Sequence, residues 1–523
     1  MAESSAMTAP LRRSVFRALW IAAVASNVGT WMQEVGAAWL MTSLSPSPLL
    51  VTLIQAGSSL PMFLLAIPSG ALADLVDRRR MLLATQTWML CAAATLGFLT
   101  LHGSVTPTAL LLVTFAMGFG VALNGPAWQA VISELVPRSE LPAAVALNSV
   151  GFNLARAVGP ALGGLVIAAA GPGVTFLLNA ASFLGTVFVL YGWDRPATST
   201  PLAAERLAGA MRGGLRYVRY QPELRAVMMR AGGFMFFSIA LMALLPLLAR
   251  GTLGLGPTGY GVMLGSLGFG AVTGAAVLGR LRQGIGAERL VQIGCLVFAA
   301  CCIGIAHIPN FPAVCALMWI AGNCWLMLLS SFHVAAQGSV AGWVLARALS
   351  IYLLAFSGSM ALGSATWGAL AVRVGPPWSL TVAAVGLVVT LPILTRFRLP
   401  ALDGRDLSPT KFSPAPRFDL SHDRGPVMVT VRYDIADADR AAFTGLMRQM
   451  ELVRRRSGAV GWALYEDPEQ PQLMLEVFMV DSWIEHLRQH ERGTRTDAVL
   501  RDRIRALHRG DESPSVTHLL AVD

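Results

Sequence analysis

The chain has 523 residues, of which 54% are hydrophobic and only 13% charged, and its mean hydropathy is +0.58. That is more apolar surface than a soluble fold can bury, and it points to a bilayer. The formal charge of +10 comes almost wholly from arginine, with Lys411 the one lysine. The arginines fall in loops and in a C-terminal region, which excludes a nucleic-acid partner and reads as topology.

A helix of about 20 apolar residues crosses the hydrocarbon core. Twelve segments have that length, near Ala18–Met41, Leu50–Ala73, Met81–Leu101, Thr108–Ile132, Ala143–Ala170 and Val174–Trp193, then Ala226–Ala249, Gly259–Gly279, Leu290–Ala306, Pro312–Ala336, Val344–Val372 and Trp378–Thr395. Arg12, Arg13 and Arg17 before the first run could suggest a leader, but the run continues to Met41 and is read as an uncleaved span.

Intramembrane ionisable groups are costly, about 2.5–3.5 kcal/mol each on insertion scales, so they are default site candidates. In the first span Asn27, Thr30 and Glu34 form one polar stripe. Glu34 lies about 25 Å along the helix from Arg17, toward the far half of the membrane. A carboxylate there could take a proton from one side and release it on the other; the alternative is a hydrogen-bonded rim residue.

After the second span the chain reads G-A-L-A-D-L-V-D-R-R-R from Gly70 to Arg80. This must be a loop in water. Asp74 could accept hydrogen bonds from a helix N-terminus of the other half, and Arg78 could pair with an acid across the same seam. Together they would latch one side shut, or the arginines merely anchor the loop.

The fifth span places Gly151, Ala155, Gly159 and Gly163 at every fourth position, and the eleventh does the same with Ala355, Ser359 and Gly363. Such ridges let helices approach closely where lipid gives no hydrophobic push. Pro160 would bend the fifth span. Arg156, just before it, needs an acid or several carbonyls; Glu34 is one candidate, and substrate contact is another. The seventh span is notably apolar, with Phe234, Met235, Phe236, Phe237 and Met242, which suits either bulky lipophilic substrates or lipid. In the tenth span Asn323, Ser330, His333 and Gln337 share a face, and His333 is either protonatable or a structural hydrogen-bonding residue.

Asp194 to Arg225 is the longest interruption and divides the spans six and six. It reads as an amphipathic segment on the cytoplasmic surface. One set of loops carries Arg78, Arg79, Arg80, Arg138, this cluster, Arg280, Arg282, Arg289, Arg347, Arg396 and Arg398; the other carries only Arg250 and Arg373. The positive-inside rule then puts both termini in the cytoplasm. Two parallel halves suggest a two-bundle transporter. The six cysteines, Cys91, Cys295, Cys301, Cys302, Cys315 and Cys324, lie inside apolar runs and read as packing residues. No cofactor and no metal is expected. The absence of a Gly-x-x-x-x-Gly-Lys-Ser/Thr loop argues against an ATP-driven pump.

After Leu399 the composition changes. Residues 401–426 read as a linker. From Val427 a soluble pattern follows in the order β-α-β-β-α-β, which predicts a ferredoxin-like α+β domain. The expected organisation is a six-helix bundle over 1–193, a central loop over 194–225, a second six-helix bundle over 226–400, the linker, and the small domain over 427–523.

The Gly70–Arg80 loop resembles the Gly-x-Leu-Ala-Asp-x-x-Gly-Arg-Arg-Arg pattern of the major facilitator superfamily at Gly70, Leu72, Asp74, Arg78, Arg79 and Arg80, with Asp77 in place of the second glycine. Gly159-Pro160-Ala161-Leu162-Gly163-Gly164 resembles the Gly-Pro-x-x-Gly-Gly motif of the antiporter branch, with Ala155 where that branch usually has glycine. Together with Arg156 and Asp77, the match is closest to bacterial drug and siderophore exporters. The resemblance covers about residues 10–400. It implies alternating access in a bacterial inner membrane, export of a small molecule coupled to protons, and a cavity lined by spans 1, 4, 7 and 10. Asn27, Thr30, Asn124, Trp128, Gln129 and Asn323 are the lining candidates. Import of a small metabolite is the alternative. The C-terminal region resembles the antibiotic-biosynthesis monooxygenase type of dimeric α+β barrel, with Trp483, His486 and His490 in the corresponding helix. That implies a homodimer through the sheet and either a scaffold or a cofactor-independent enzyme.

Overall fold

The computed structural model describes residues 8–137, 139–193, 207–400, 406–408, 410, 424–509 and 513–521. Arg138, Lys411, residues 195–206 and most of the expected linker lie outside the described residues.

Among the described residues, twelve long helices form the apolar part of the chain. The first six are α1 (Ser14–Leu44), α2 (Pro48–Leu75), α3 (Arg78–Leu101), α4 (Pro107–Leu135), α5 (Leu141–Ala170) and α6 (Pro172–Tyr191). A short helix, α7 (Leu207–Arg219), follows. The second six are α8 (Pro222–Leu247), α9 (Pro257–Ile285), α10 (Ala287–His307), α11 (Phe311–Gly338), α12 (Leu345–Val374) and α13 (Pro376–Leu394). Among the described residues eleven helices are long and apolar enough to cross a membrane. The long helix outside that set is α1, which carries Asn27, Thr30, Gln33 and Glu34. Large apolar side chains point outward as they would toward lipid: Leu112, Phe188 and Tyr191 are 65%, 73% and 76% exposed.

Local sequence explains the breaks. Six of these helices begin on proline, whose fixed φ suits the first turn and whose missing N–H costs nothing there. Gly171 and Gly375 adopt φ of 82° and 84°, a left-handed conformation that favours glycine. Each precedes a proline, at the α5–α6 and α12–α13 junctions, so the same device stands at corresponding points of the two halves.

The described chain divides into two compact units. One comprises residues 1–202, 228–333 and 352–398, and holds most of the twelve helices. The other comprises 203–227, 334–351 and 399–523.

In the second unit β1 (Val427–Asp434), α14 (Arg440–Ser457), β2 (Ala459–Glu466), β3 (Leu473–Val480), α15 (Trp483–Glu491), α16 (Arg495–Arg505) and β4 (Ser515–Leu520) follow in order. The sheet order is β2-β3-β1-β4 and every pairing is antiparallel. This is the ferredoxin-like arrangement predicted, its second helical segment being the two short helices α15 and α16. Alternate residues of β1, Val427, Val429, Val431 and Tyr433, are buried with Phe443, Met447 and Met450 of α14.

The described part of the central segment packs against protein. Tyr217 and Val218 of α7 are buried against the connection between α11 and α12. The Tyr217 hydroxyl donates to the Ser339 carbonyl at 3.3 Å and accepts from the Ala341 N–H at 3.1 Å. Arg216 pairs with Glu485 at 2.9 Å, Arg456 donates to Gln221 at 2.8 Å, and the Arg492 guanidinium lies 4.6 Å above the Trp343 ring. The buried face of α7 is therefore taken up by protein.

Candidate functional site

Glu34 opens into a small cavity in the membrane unit, about 30 Å³ in volume. Its walls come from both halves: Trp31 and Gln55 from α1 and α2, Met242 and Pro246 from α8, Tyr260 and Leu264 from α9. Arg156 is close enough to interact electrostatically with Glu34, but no ion pair joins them. The guanidinium instead lies 5.8 Å over the Trp31 ring, and Nε is buried without a hydrogen-bond partner. The arrangement is a carboxylate on the cavity wall beside Trp31 and Tyr260, with the Arg156 guanidinium near enough to act on its charge.

The rest of the α1 stripe is tied to protein. Thr30 Oγ1 donates to the Ser26 carbonyl at 2.9 Å. Gln33, which the sequence reading did not single out, is buried and accepts from Asn179 at 2.7 Å. Asn27 is half-buried. Asn124 accepts from Thr85 and Gln86 of α3 at 3.2 and 3.1 Å, and Trp128 donates to Asn148 of α5 at 3.3 Å. Asn323 accepts from Thr273 of α9 at 3.3 Å. These three fasten neighbouring helices. His333 Nδ1 bonds the Leu329 carbonyl of its own helix at 2.9 Å, with its ring 5.3 Å from that of Tyr352.

The loop expected over Gly70–Arg80 is much shorter: only Val76 and Asp77 separate α2 from α3, because both helices run on into the motif, and Gly70 and Asp74 lie in the last turns of α2, their side-chain surroundings being outside the described residues. Asp77 caps α3 by accepting from the Arg80 N–H at 2.9 Å. Arg78 pairs with Glu134 of α4 at 2.7 Å, an acid within its own half rather than across the seam. Arg79 caps α6, donating to the carbonyls of Leu190 and Tyr191 at 2.8 and 2.5 Å. In this state the arginines therefore organise their own half.

The glycines of α5 serve two faces. On one, a methyl at Gly159 would fall 2.6 Å from Trp31 Cβ, and one at Gly163 2.9 Å from Met32 Cα, so α1 lies against this ridge. On the other, Gly164 faces α9: its added methyl would fall 2.6 Å from the Pro257 carbonyl and 3.0 Å from Gly261 Cα. Gly268 of α9 meets the Arg156 carbonyl and Ala157 Cα in the same way, each at 2.7 Å. The two halves thus touch backbone to backbone along α5 and α9. At the end of the bundle opposite Arg78, Arg250 donates to Thr42 Oγ1 at 3.0 Å and Ser43 Oγ at 2.8 Å. It also lies 5.8 Å over Trp39, whose ring stacks on Tyr260 at 6.0 Å. Arg250 sits on a π-helical turn, Leu248–Thr252, a distortion often found at functional sites.

In the small domain, a cavity of about 280 Å³ lies between the sheet and its helices, lined by Val429, Tyr433, Phe478, His486, His490 and His518 among others. His486 is 2% exposed. Burial, then His490 and His518, push its pKa down to about 3. Burial, then Arg454, lowers His490, and burial lowers His518. Beside this cavity Glu476 is fully buried, pairs with Arg454 at 3.0 Å, and accepts from Trp462 at 3.0 Å.

The family model described as transmembrane secretion effector, MFS_3, matches residues 5–523. The chain belongs to this family of major facilitator transporters. Its match runs through the small domain as well as the helices. Among curated relatives, the chain is 22% identical over 339 residues to the staphyloferrin A transporter of Staphylococcus aureus, covering 64% of this chain and 84% of that one. It is 24% identical over 382 residues to the enterobactin exporter EntS of Salmonella choleraesuis, covering 72% and 90%. It is 25% identical over 326 residues to the multidrug efflux pump Tap of Mycolicibacterium fortuitum, covering 60% and 78%. A bacterial homologue of the human lysosomal transporter Spinster, solved in an inward-facing, unoccupied conformation, superposes with a TM-score of 0.62 at 15% identity, covering 74% of this chain and 98% of that one. That likeness establishes the transporter fold.

Three features of this secretion-effector chain escaped the sequence reading. Arg230 lies in the span read as apolar, is 1% exposed and pairs with Glu288 of α10 at 2.6 Å; an arginine inside a span was itself the missed signal. Arg250 was visible as a rare basic residue on its side, but its partners Thr42 and Ser43 were not. His518 stands 28 residues beyond His490 in sequence, and only the β1–β4 pairing brings the two together.

Proposed function

We propose that this transporter exports drugs or siderophore-like secreted metabolites across a bacterial inner membrane by proton-coupled alternating access, with both termini in the cytoplasm. The single observation that carries the reading is Glu34, opening into a cavity walled by both halves and electrostatically coupled to Arg156. A carboxylate in that position changes charge when protons reach it from alternating sides. Trp31, Met242 and Tyr260 suit a bulky, lipophilic substrate. The relatives named for siderophore and multidrug export support the direction. Residues 1–193 and 226–400 would be the two moving bundles. The α5–α9 and Arg250 contacts would close the outer side and part when substrate leaves, while Asp74 and Arg78 would latch the inner side in the opposite state.

The test is substrate efflux in inverted membrane vesicles under an imposed pH gradient. Glu34→Gln should retain a folded transporter and lose the dependence on the gradient. Unchanged coupling in that variant refutes the assignment, and accumulation in the reverse direction favours an importer.

For the small domain, resemblance to the antibiotic-biosynthesis monooxygenase fold supports an accessory, dimerising role. A second reading, a catalytic domain, is favoured by the histidines lining its cavity. Oxygen uptake by the full chain that is lost in His486→Ala would select the enzyme; its absence with candidate aromatic substrates would select the scaffold.

A further inference from the structure

The cavity of the small domain holds three imidazoles that converge from two elements. His486 and His490 are one turn apart on α15, and their Nε2 atoms face each other at 3.2 Å. His518 lies on β4 directly opposite Val429 of β1, so it projects from the sheet face that Val429 buries. The centroids of its ring and that of His486 are 4.8 Å apart. One ligand nitrogen from each of the three lies within 4.8 Å of the others.

We infer that His486, His490 and His518 form a three-histidine site for a divalent transition-metal ion of the zinc or cobalt type, with a fourth position open to the cavity. The geometry of the α15 pair supports this directly. With metal–nitrogen bonds of about 2.0–2.1 Å, nitrogens at the observed separation subtend about 100° at the ion, close to the tetrahedral angle. Side-chain rotation of His518, the residue on the edge strand, closes the third bond. The alternative is an aromatic packing cluster with Trp483, whose ring is 5.6 Å from that of His486. In such a cluster one of the two facing Nε2 atoms must donate to the other, whereas a bound ion takes a lone pair from each.

The surrounding charge is tolerable. Arg454 lines the cavity, but Glu476 neutralises it at 3.0 Å. Arg501 and Arg505 also line it, with Asp502 3.8 Å from Arg501. Nitrogen-only ligation favours zinc, cobalt, nickel or copper over magnesium or calcium. A three-protein-ligand site with an open position is the pattern that accepts a further donor from a small molecule.

The experiment uses the full chain in detergent, purified on a tag free of histidine and stripped with chelator. Cobalt(II) titration should produce the visible absorption of tetrahedral cobalt and saturate at one ion per chain. Zinc should displace the cobalt. His518→Ala and His490→Ala should each weaken binding at least tenfold while leaving the thermal unfolding of the metal-free protein unchanged. His518 is the decisive position, because it lies on an edge strand and its loss leaves the core intact even if His486→Ala fails to fold. Absence of the tetrahedral band, or equal cobalt affinity in wild type and His518→Ala, overturns the site.

Discussion

The two units reach stability by opposite routes. In the membrane unit, large side chains such as Phe188 and Tyr191 face outward, and the closest helix approaches fall on glycine where α5 meets α1 and α9, beside buried aromatics such as Phe234 and Phe298. In the small domain the large side chains, Phe443, Phe478 and Trp483, are inside, and its outer surface is rich in arginine. The difference is solvent. Lipid offers no reward for hiding a phenylalanine, so close backbone approach and a few polar links decide the packing; water rewards burial of every apolar group. Two charged groups add a second contrast. Arg156 lies over Trp31 with no ion pair among the described residues, whereas Glu476 of the small domain is surrounded by Arg454, Trp462 and Tyr433.

The largest effect should come from that saturated acid. Glu476→Gln leaves the Arg454 guanidinium buried without its anion, a loss of about 3–5 kcal/mol. Thermal unfolding of the full chain should show the small-domain transition much lowered, and pairing the change with Arg454→Met should restore a good part. A silent single variant would mean that this domain does not depend on its buried pair.

Next is the helix ridge. Gly163→Leu drives a side chain into the Met32 backbone, with an overpacking cost of about 1–3 kcal/mol. Transport should fall severely while the small-domain unfolding temperature stays put; an active variant would show that α1 and α5 are not held by close approach.

Arg250→Ala should cost only about 1 kcal/mol, the usual worth of a partly exposed hydrogen-bonded contact. It should nevertheless raise the labelling rate of a cysteine placed at Ser43. Equal labelling would remove Arg250 from the closure of that end.

The smallest change is expected at Arg13, which pairs with Glu140 at 3.0 Å on the surface. The hydrogen bond from Arg13 holds the Glu140 carboxyl below its usual range. Any stabilisation is therefore present at neutral pH and is lost only as acid protonates Glu140. Arg13→Ala should leave the melting temperature unchanged within error at neutral pH in physiological salt, where such pairs are worth little.

Local chemistry determined much of this protein. Hydrophobic length marked all the long helices, proline and glycine marked their ends, and period-two and helical patterns marked the elements of the small domain, because each of these signals is carried by residues near one another in the chain. The loop motif was equally plain, yet its arginines turned out to cap and brace α3, α4 and α6, since their partners Glu134, Leu190 and Tyr191 stand 56 to 112 residues away. Asn124, Trp128 and Asn323 read as cavity polar groups, and their bonds to neighbouring helices could not be read for the same reason: polarity is written in the residue, but its partner is chosen by packing. Tertiary structure alone decided that Glu34 and Arg156 would be coupled without an ion pair, that α7 would bury Tyr217 and Val218 in protein, and that His518 would join His486 and His490. Each of these depends on which faces meet, and a face acquires its neighbour only when distant segments are brought within a few ångströms by the fold.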